Sequence, residues 1–235
     1  MLFLATSDTH LLAAHVQKMK DAAITEGASA LLHAGDHLEE SEFGRIPRVK
    51  QIEGHQTVYR EISKTIPIIT CSGNHDFKSG EGKEKAEWLD EIGSDFHGDL
   101  THTVISKDGI SVVISTIPYL YPSALDVASE GLARKEETNS DFWFILAHEP
   151  PKDSKPASGG GSMTMRRLVR QFQPDVFLCG HLHWSPYRKD GAPYAFEGQT
   201  MVINPGRRQD ALPNTVRIFL SAGNPPRARW TKCGV

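Results

Sequence analysis

Five short polar clusters, each placed directly after an apolar run, constrain this 235-residue chain more than anything else in it. They are Asp8-Thr9-His10, Gly35-Asp36, Gly73-Asn74-His75-Asp76, His148 within Ala147-His148-Glu149-Pro150, and Gly180-His181-Leu182-His183. The runs before them are Leu2–Thr6, Ala30–His33, Ile66–Cys71, Phe142–Ala147 and Val176–Cys179. All are short and mostly apolar, the pattern of strands buried on both faces. In open α/β sheets, ligands bind just beyond the carboxyl ends of the strands. If these strands are neighbours, the five clusters share one crevice.

The intervening segments set the fold class. Leu12, Val16, Met19 and Ala23 recur at helical spacing, and Gly27 is a helix stop. Arg48 to Lys64 predicts an irregular amphipathic helix with Val49, Ile52, Val58 and Ile62 as its apolar positions, interrupted near Gly54. Lys83–Ile92 predicts a short helix with Trp88, Leu89 and Ile92 on one side. Thr101–Ser106 and Ile110–Thr116 flank Asp108-Gly109, which predicts a β-hairpin. A helix over Met165–Phe172 and strands over Met201–Ile203, Val216–Leu220 and Ala228–Thr231 follow. Strand–helix alternation implies parallel pairing, and the hairpins add antiparallel strands. The expected architecture is one layered α/β domain, residues 1–235, of mixed sheets flanked by helices.

Composition narrows the setting. No apolar run approaches the ~18–20 residues of a membrane span. The N-terminus lacks the basic lead of a signal peptide. Three distant cysteines, Cys71, Cys179 and Cys233, do not form a disulfide framework, so a reducing cytoplasmic setting is expected. The net charge of −3 disfavours a dedicated nucleic-acid binder. The charge is nevertheless uneven: residues 166–235 hold 11 Lys and Arg against 4 Asp and Glu, which suits either an anionic partner or scattered solvated arginines.

The cluster residues have the chemistry of metal ligands. Two aspartates, an asparagine and several histidines, with no thiolate, suit Mn, Fe, Zn, Co or Ni better than Ca. In Asp8-x-His10 and His181-x-His183, spacing by two puts both side chains on one side of an extended segment. Each motif alone has an ordinary alternative, Gly-Asn-His-Asp being a good turn sequence. Together, in this order and each at a strand end, they point to a metal site.

The ordered set resembles the motifs of the calcineurin-like metallophosphoesterase superfamily, in particular its small bacterial or phage phosphodiesterase-like members. The resemblance runs from residue 8 to residue 183 and implies a four-layered α/β/β/α sandwich. It implies two metal ions, manganese being the first expectation: Asp8, His10 and His183 on one, Asn74, His148 and His181 on the other, Asp36 bridging. It further implies a metal-bridging hydroxide as nucleophile, with His75 protonating the leaving oxygen or stabilising the transition state. Glu39 matches the place of the family's acidic partner to this histidine, and Asp76 rivals it, either as that partner or as a turn cap.

Arg207 and Arg208, after Asn204-Pro205-Gly206, are candidate phosphate contacts or exposed turn residues. Trp184, Tyr187 and Tyr194 are candidate base-stacking residues or ordinary packing. His37 reads as an exposed loop residue, and the glycine-rich Pro151–Ser162 segment as a flexible rim or lid. The arginine that some phosphomonoesterases of the family carry after the second motif is absent from Gly35-Asp36-His37-Leu38-Glu39-Glu40. The expected activity is therefore a metal-dependent phosphodiesterase acting on a phosphate ester, with nucleotides or nucleic acid as possible partners. The alternatives are a DNA-processing nuclease, a phosphomonoesterase, and a scaffold of the same fold without chemistry. A scaffold would show broken motifs, and none is broken.

Overall fold

The computed structural model describes residues 1–10, 13–39, 46–77, 85–207 and 213–231. In chain order its elements are β1 (Leu2–Thr6), α1 (Ala13–Glu26), β2 (Ala30–Ala34), α2 (Arg48–Ser63), β3 (Ile68–Cys71), β4 (Phe96–His97), β5 (His102–Lys107) and β6 (Ile110–Ile117). Then come α3 (Ala124–Thr138), β7 (Phe142–Ala147), α4 (Met163–Phe172), β8 (Val176–Leu178), β9 (Tyr194–Glu197), β10 (Thr200–Ile203), β11 (Thr215–Phe219) and β12 (Arg227–Thr231).

Two six-stranded mixed sheets result, ordered β12-β11-β1-β2-β3-β4 and β5-β6-β7-β8-β10-β9. Strands β1 to β4 run parallel, as do β6, β7, β8 and β10. The hairpin turn predicted at Asp108-Gly109 joins β5 to β6, with both residues at positive φ, the form whose twist matches the strands.

Alternation along the strands builds four layers. Phe3 and Ala5 of β1, with Leu32, Ala34 and Ile69, face Val112, Ile114, Phe144 and Leu146 of the other sheet. The Phe3 and Phe144 rings meet edge to face at 5.5 Å. Leu4, Leu31 and Ile68 point the other way, onto Val16, Met19, Tyr59 and Ile62 of α1 and α2. Val113, Ile145, Phe177 and Val202 cover the opposite face with α3 and α4. Full burial of each Val, Leu, Ile, Phe or Met side chain among these contributes about 1.5–3 kcal/mol of transfer free energy. The architecture is the expected α/β/β/α sandwich of two mixed sheets flanked by helices.

Three local expectations differ. Helix α2 runs unbroken through Gly54, and its buried face is carried by Gln51, His55, Gln56 and Tyr59, while Val49 is exposed. In the region expected to hold a helix over 83–92, the described residues form only a 3-10 turn at Glu87–Leu89. Helix α3 has no counterpart in the sequence reading. Its buried positions Ala124, Val127, Ala128 and Gly131 do follow helical spacing, but they are small and sit among charged residues. Among the described residues, no helix is long and apolar enough to cross a membrane.

Candidate metal centre

All five clusters lie at the carboxyl ends of parallel strands, three from one sheet (β1, β2, β3) and two from the other (β7, β8). Backbone bonds lock the loops together. Asp8 N donates to Gly35 O at 2.9 Å, His10 N to Asp36 O at 3.1 Å, and Gly180 N to His148 O at 3.0 Å. Asp8, His10, Asp36 and His181 all have φ between 38° and 65°, a region that L-residues visit rarely and that collects at functional sites. Gly35 and Gly73 make the approach of the β2 and β3 loops possible. A Cβ on Gly35 would come 2.7 Å from both Gly73 N and His148 Nδ1, and one on Gly73 would collide with the Asp36 carboxylate.

The histidine tautomers follow from their partners. His10 Nδ1 lies 3.1 Å from Leu38 O, and His148 Nδ1 lies 2.7 Å from Ala34 O. A carbonyl only accepts, so each Nδ1 carries hydrogen and each neutral ring turns a bare Nε2 inward. His10 Nε2 then faces His183 Nε2 at 3.3 Å and Asp36 Oδ2 at 3.8 Å. His148 Nε2 faces Asp36 Oδ2 at 3.1 Å and Asp8 Oδ1 at 3.9 Å. His183 Nε2 lies 3.0 Å from Asp8 Oδ1, and His181 Nδ1 lies 2.8 Å from Asn74 Oδ1. Asp8 Oδ2 is buried and has no hydrogen-bond partner among the described residues.

Lone pairs aimed at lone pairs need a cation between them, whether a proton or a metal. Ligand atoms sharing one ion at ~2.1 Å stand about 3.0–3.4 Å apart in octahedral or tetrahedral arrangements, the scale found here. Ligand atoms of Asp8, His10, Asp36 and His183 all lie within 4.8 Å of one another. The backbone carbonyls of Leu38 and Ala34 stand behind these rings as acceptors do behind imidazoles that bind a metal. Residues and group fit. The field agrees: burial alone would raise the Asp36 carboxyl, but His148 above all pulls it down to about 2. Burial likewise opposes charge on His148, yet Asp36 and Asp8 push it up to about 10.

The other expected residues fall in different places. His75 Nε2 stands 3.8 Å from Asp36 Oδ2, and its backbone N–H donates to Asp36 Oδ1 at 2.9 Å. Glu39 reaches to 4.0 Å from His75 Nδ1 and 3.9 Å from His10 Nδ1. Arg207 comes to the centre, its Nη1 donating to Asp8 O at 3.0 Å, whereas Arg208 lies outside the described residues. Trp184, next to His183, is 48% exposed, and Tyr194 is exposed on edge strand β9, while Tyr187 packs on Trp230.

Asp76 corrects one expectation. Rather than offering its carboxylate to the His75 ring, it is buried and accepts four backbone N–H bonds: Asp36 and Gly73 on Oδ2, His37 and Leu38 on Oδ1, at 2.8–3.1 Å. It ties the loop of Asp36 to the loop of Asn74. Asp76→Asn would place an NH2 against two of these N–H donors and leave them without an acceptor. The expected cost is about 2–4 kcal/mol of stability. A urea midpoint equal to that of the wild type would refute this role.

His37 corrects another. It is fully buried, with Nδ1 2.6 Å from Tyr59 OH and Nε2 2.8 Å from Thr70 Oγ1, and stacks on His33 at 3.9 Å. It anchors the residue beside Asp36 in the core. The Pro151–Ser162 loop is likewise tied down: Asn204 Nδ2 donates to Pro156 O and Ser185 Oγ to Ser158 O. Asn204 Nδ2 also reaches Gly180 O and Leu182 O, bracing the His181–His183 turn.

Sequence reasoning passed over Tyr119. Its ring stands 5.9 Å from that of His148 and 5.7 Å from that of His181. It follows β6, so the strand-end rule points to it, but a lone tyrosine carries no ligand signature.

The sequence model of the calcineurin-like phosphoesterase family matches residues 1–185. The chain belongs to that family. Its membership and its Asp/His centre support metal-dependent hydrolysis of phosphoesters. No curated protein sequence matches this phosphoesterase significantly. Among solved structures it resembles calcineurin-like phosphoesterase YfkN from Bacillus subtilis (TM-score 0.60, 15% identity, covering 100% of this chain and 93% of that one). A protein described as an archaeal phosphodiesterase gives TM-score 0.52 and 16% identity, covering 98% and 100% of the two chains. The 5'-nucleotidase precursor from Thermus thermophilus gives 0.62 and 14%, covering 98% of this chain and 53% of that one. At such identities the likeness speaks for the fold alone.

Proposed function

We propose that this phosphoesterase is a phosphodiesterase with a dinuclear metal centre. The observation that carries the reading is the inward set of ligand atoms at about the spacing of neighbours on a shared ion, with the tautomers of His10 and His148 fixed by carbonyls behind them. In this reading Asp8, His10 and His183 hold one ion, Asn74, His148 and His181 hold the second, and Asp36 faces both. Two divalent ions bound there, manganese first among Mn, Fe, Zn, Co and Ni, supply Lewis acidity that activates water and neutralises charge on the phosphoryl oxygens.

The chain's own groups do the rest. His75 delivers a proton to the leaving oxygen, and Glu39 is its acidic partner. Arg207, held against the Asp8 carbonyl, offers its guanidinium to a phosphoryl oxygen. The preference for diesters, nucleotide or nucleic acid among them, rests on the missing arginine after the second motif. Strands β9 to β12 complete both sheets beyond residue 185, which supports one catalytic domain over 1–235. The free, buried Cys71 and Cys179 suit a cytoplasmic location.

Bis(p-nitrophenyl) phosphate should be hydrolysed with added manganese. His75→Ala should lower kcat by about 10²–10⁴-fold, the usual worth of a general acid, without changing manganese content. No turnover with any of the five metals would overturn the reading. Faster turnover of p-nitrophenyl phosphate would reassign the enzyme to monoesters, and of single-stranded DNA to nucleases.

A further inference from the structure

Among the described residues, Tyr119 is the one non-histidine aromatic whose ring stands against His148 and His181 together. The register of β6 on β7, with Ile117 opposite Ala147, sets the turn after β6 level with His148. The ring is half-buried. The turn that presents it is unusual. Tyr121 N–H closes onto Pro118 O at 3.3 Å, and Leu120 occupies the third position at φ 52°, where glycine or asparagine is the common choice. Leu120 is also 65% exposed, so no burial of its side chain repays that backbone. Non-glycine residues held in this region gather at ligand-contacting sites.

We propose that Tyr119 is a substrate-contacting residue whose hydroxyl donates a hydrogen bond to a non-bridging phosphoryl oxygen held over Asn74, His148 and His181. This rests on the phosphoester reading above. The chemistry suits the task, because phosphoryl oxygens only accept and a phenol donates. A phenol, with an ordinary pKa of about 10, keeps its proton at neutral pH. A neutral donor adds a directed bond without drawing the anion away from the metal ligands, complementing Arg207 on the Asp8 side.

The test uses the manganese-loaded full chain and inorganic phosphate as probe. Tyr119→Phe keeps the ring and removes the hydroxyl. The dissociation constant for phosphate, by calorimetry, should rise about tenfold, the size of one hydrogen bond to a charged group. The kcat/KM on bis(p-nitrophenyl) phosphate should fall by a similar factor, with manganese stoichiometry and urea midpoint unchanged. Tyr119→Ala tests the structural alternative. If phosphate binds Tyr119→Phe as tightly as wild type, or if Tyr119→Phe loses manganese as Tyr119→Ala does, the proposal is overturned. Failure of manganese-loaded wild type to bind phosphate overturns it too. A wild type that binds phosphate but turns over no ester defeats the phosphodiesterase reading alone, and the Tyr119→Phe binding comparison still decides this one.

Discussion

Asp36→Asn is expected to lower kcat/KM on a phosphodiester by at least about a thousandfold, the upper range for removing one preorganised electrostatic contact. Asparagine keeps the shape and can still accept the His75 backbone N–H now held by Oδ1 at 2.9 Å. What it loses is the charge of Oδ2, which faces His148, His10 and His75 at 3.1, 3.8 and 3.8 Å. In the proposed centre Asp36 is the carboxylate common to the two ligand groups, so both should weaken. Manganese stoichiometry should therefore fall together with turnover. Loss of His183 should leave the Asn74, His148 and His181 group intact and cost less metal, whereas Asp8 also accepts the His181 backbone N–H at 3.0 Å and so supports both groups. A variant within about tenfold of wild type, carrying its full complement of manganese, would remove Asp36 from the centre.

The Asp36 position was legible because its evidence is local: an apolar strand, a glycine, then a ligand-type side chain. The same holds for Asp8, His10, Asn74, His148, His181 and His183, which the fold brings together as the motifs suggest. What stayed hidden depends on partners far away along the chain. His37 looks like a loop residue beside Asp36, and only the polar inner face of α2, with Tyr59, and Thr70 of β3 make it a core residue. Asp76 sits in a turn sequence, and nothing in that sequence shows four N–H groups converging on it from two loops. Helix α3 was missed because its buried positions are small, so its apolar stripe is weak beside its charges. The expected helix over 83–92 failed for the opposite reason. Trp88, Leu89 and Ile92 are buried, but a single tight turn suffices to bury them.

Metal uptake is expected to release protons and to tighten steeply with pH. In the metal-free chain His148 titrates at about 10, so at pH 7 it carries a proton on Nε2 as well as the Nδ1 hydrogen bonded to Ala34 O. A metal at Nε2 must displace that proton. Each proton released raises apparent affinity about tenfold per pH unit, so one proton gives about a hundredfold between pH 6.5 and 8.5. The metal-free protein should respond in the opposite direction. His148 has a raised pKa, so its contribution to stability is complete below its ordinary 6.5 and is lost as pH climbs toward 10. Asp36, held at about 2, contributes above its ordinary 3.8 and loses that as pH falls toward 2. Between these limits the imidazolium of His148 does the electrostatic work of a cation against Asp36. From pH 6.5 to 9 the thermal midpoint of metal-free protein should therefore fall while manganese affinity rises. Calorimetry in two buffers of different ionisation enthalpy counts the protons directly. A proton count of zero, with affinity flat across that range, would mean that His148 does not ligate the ion.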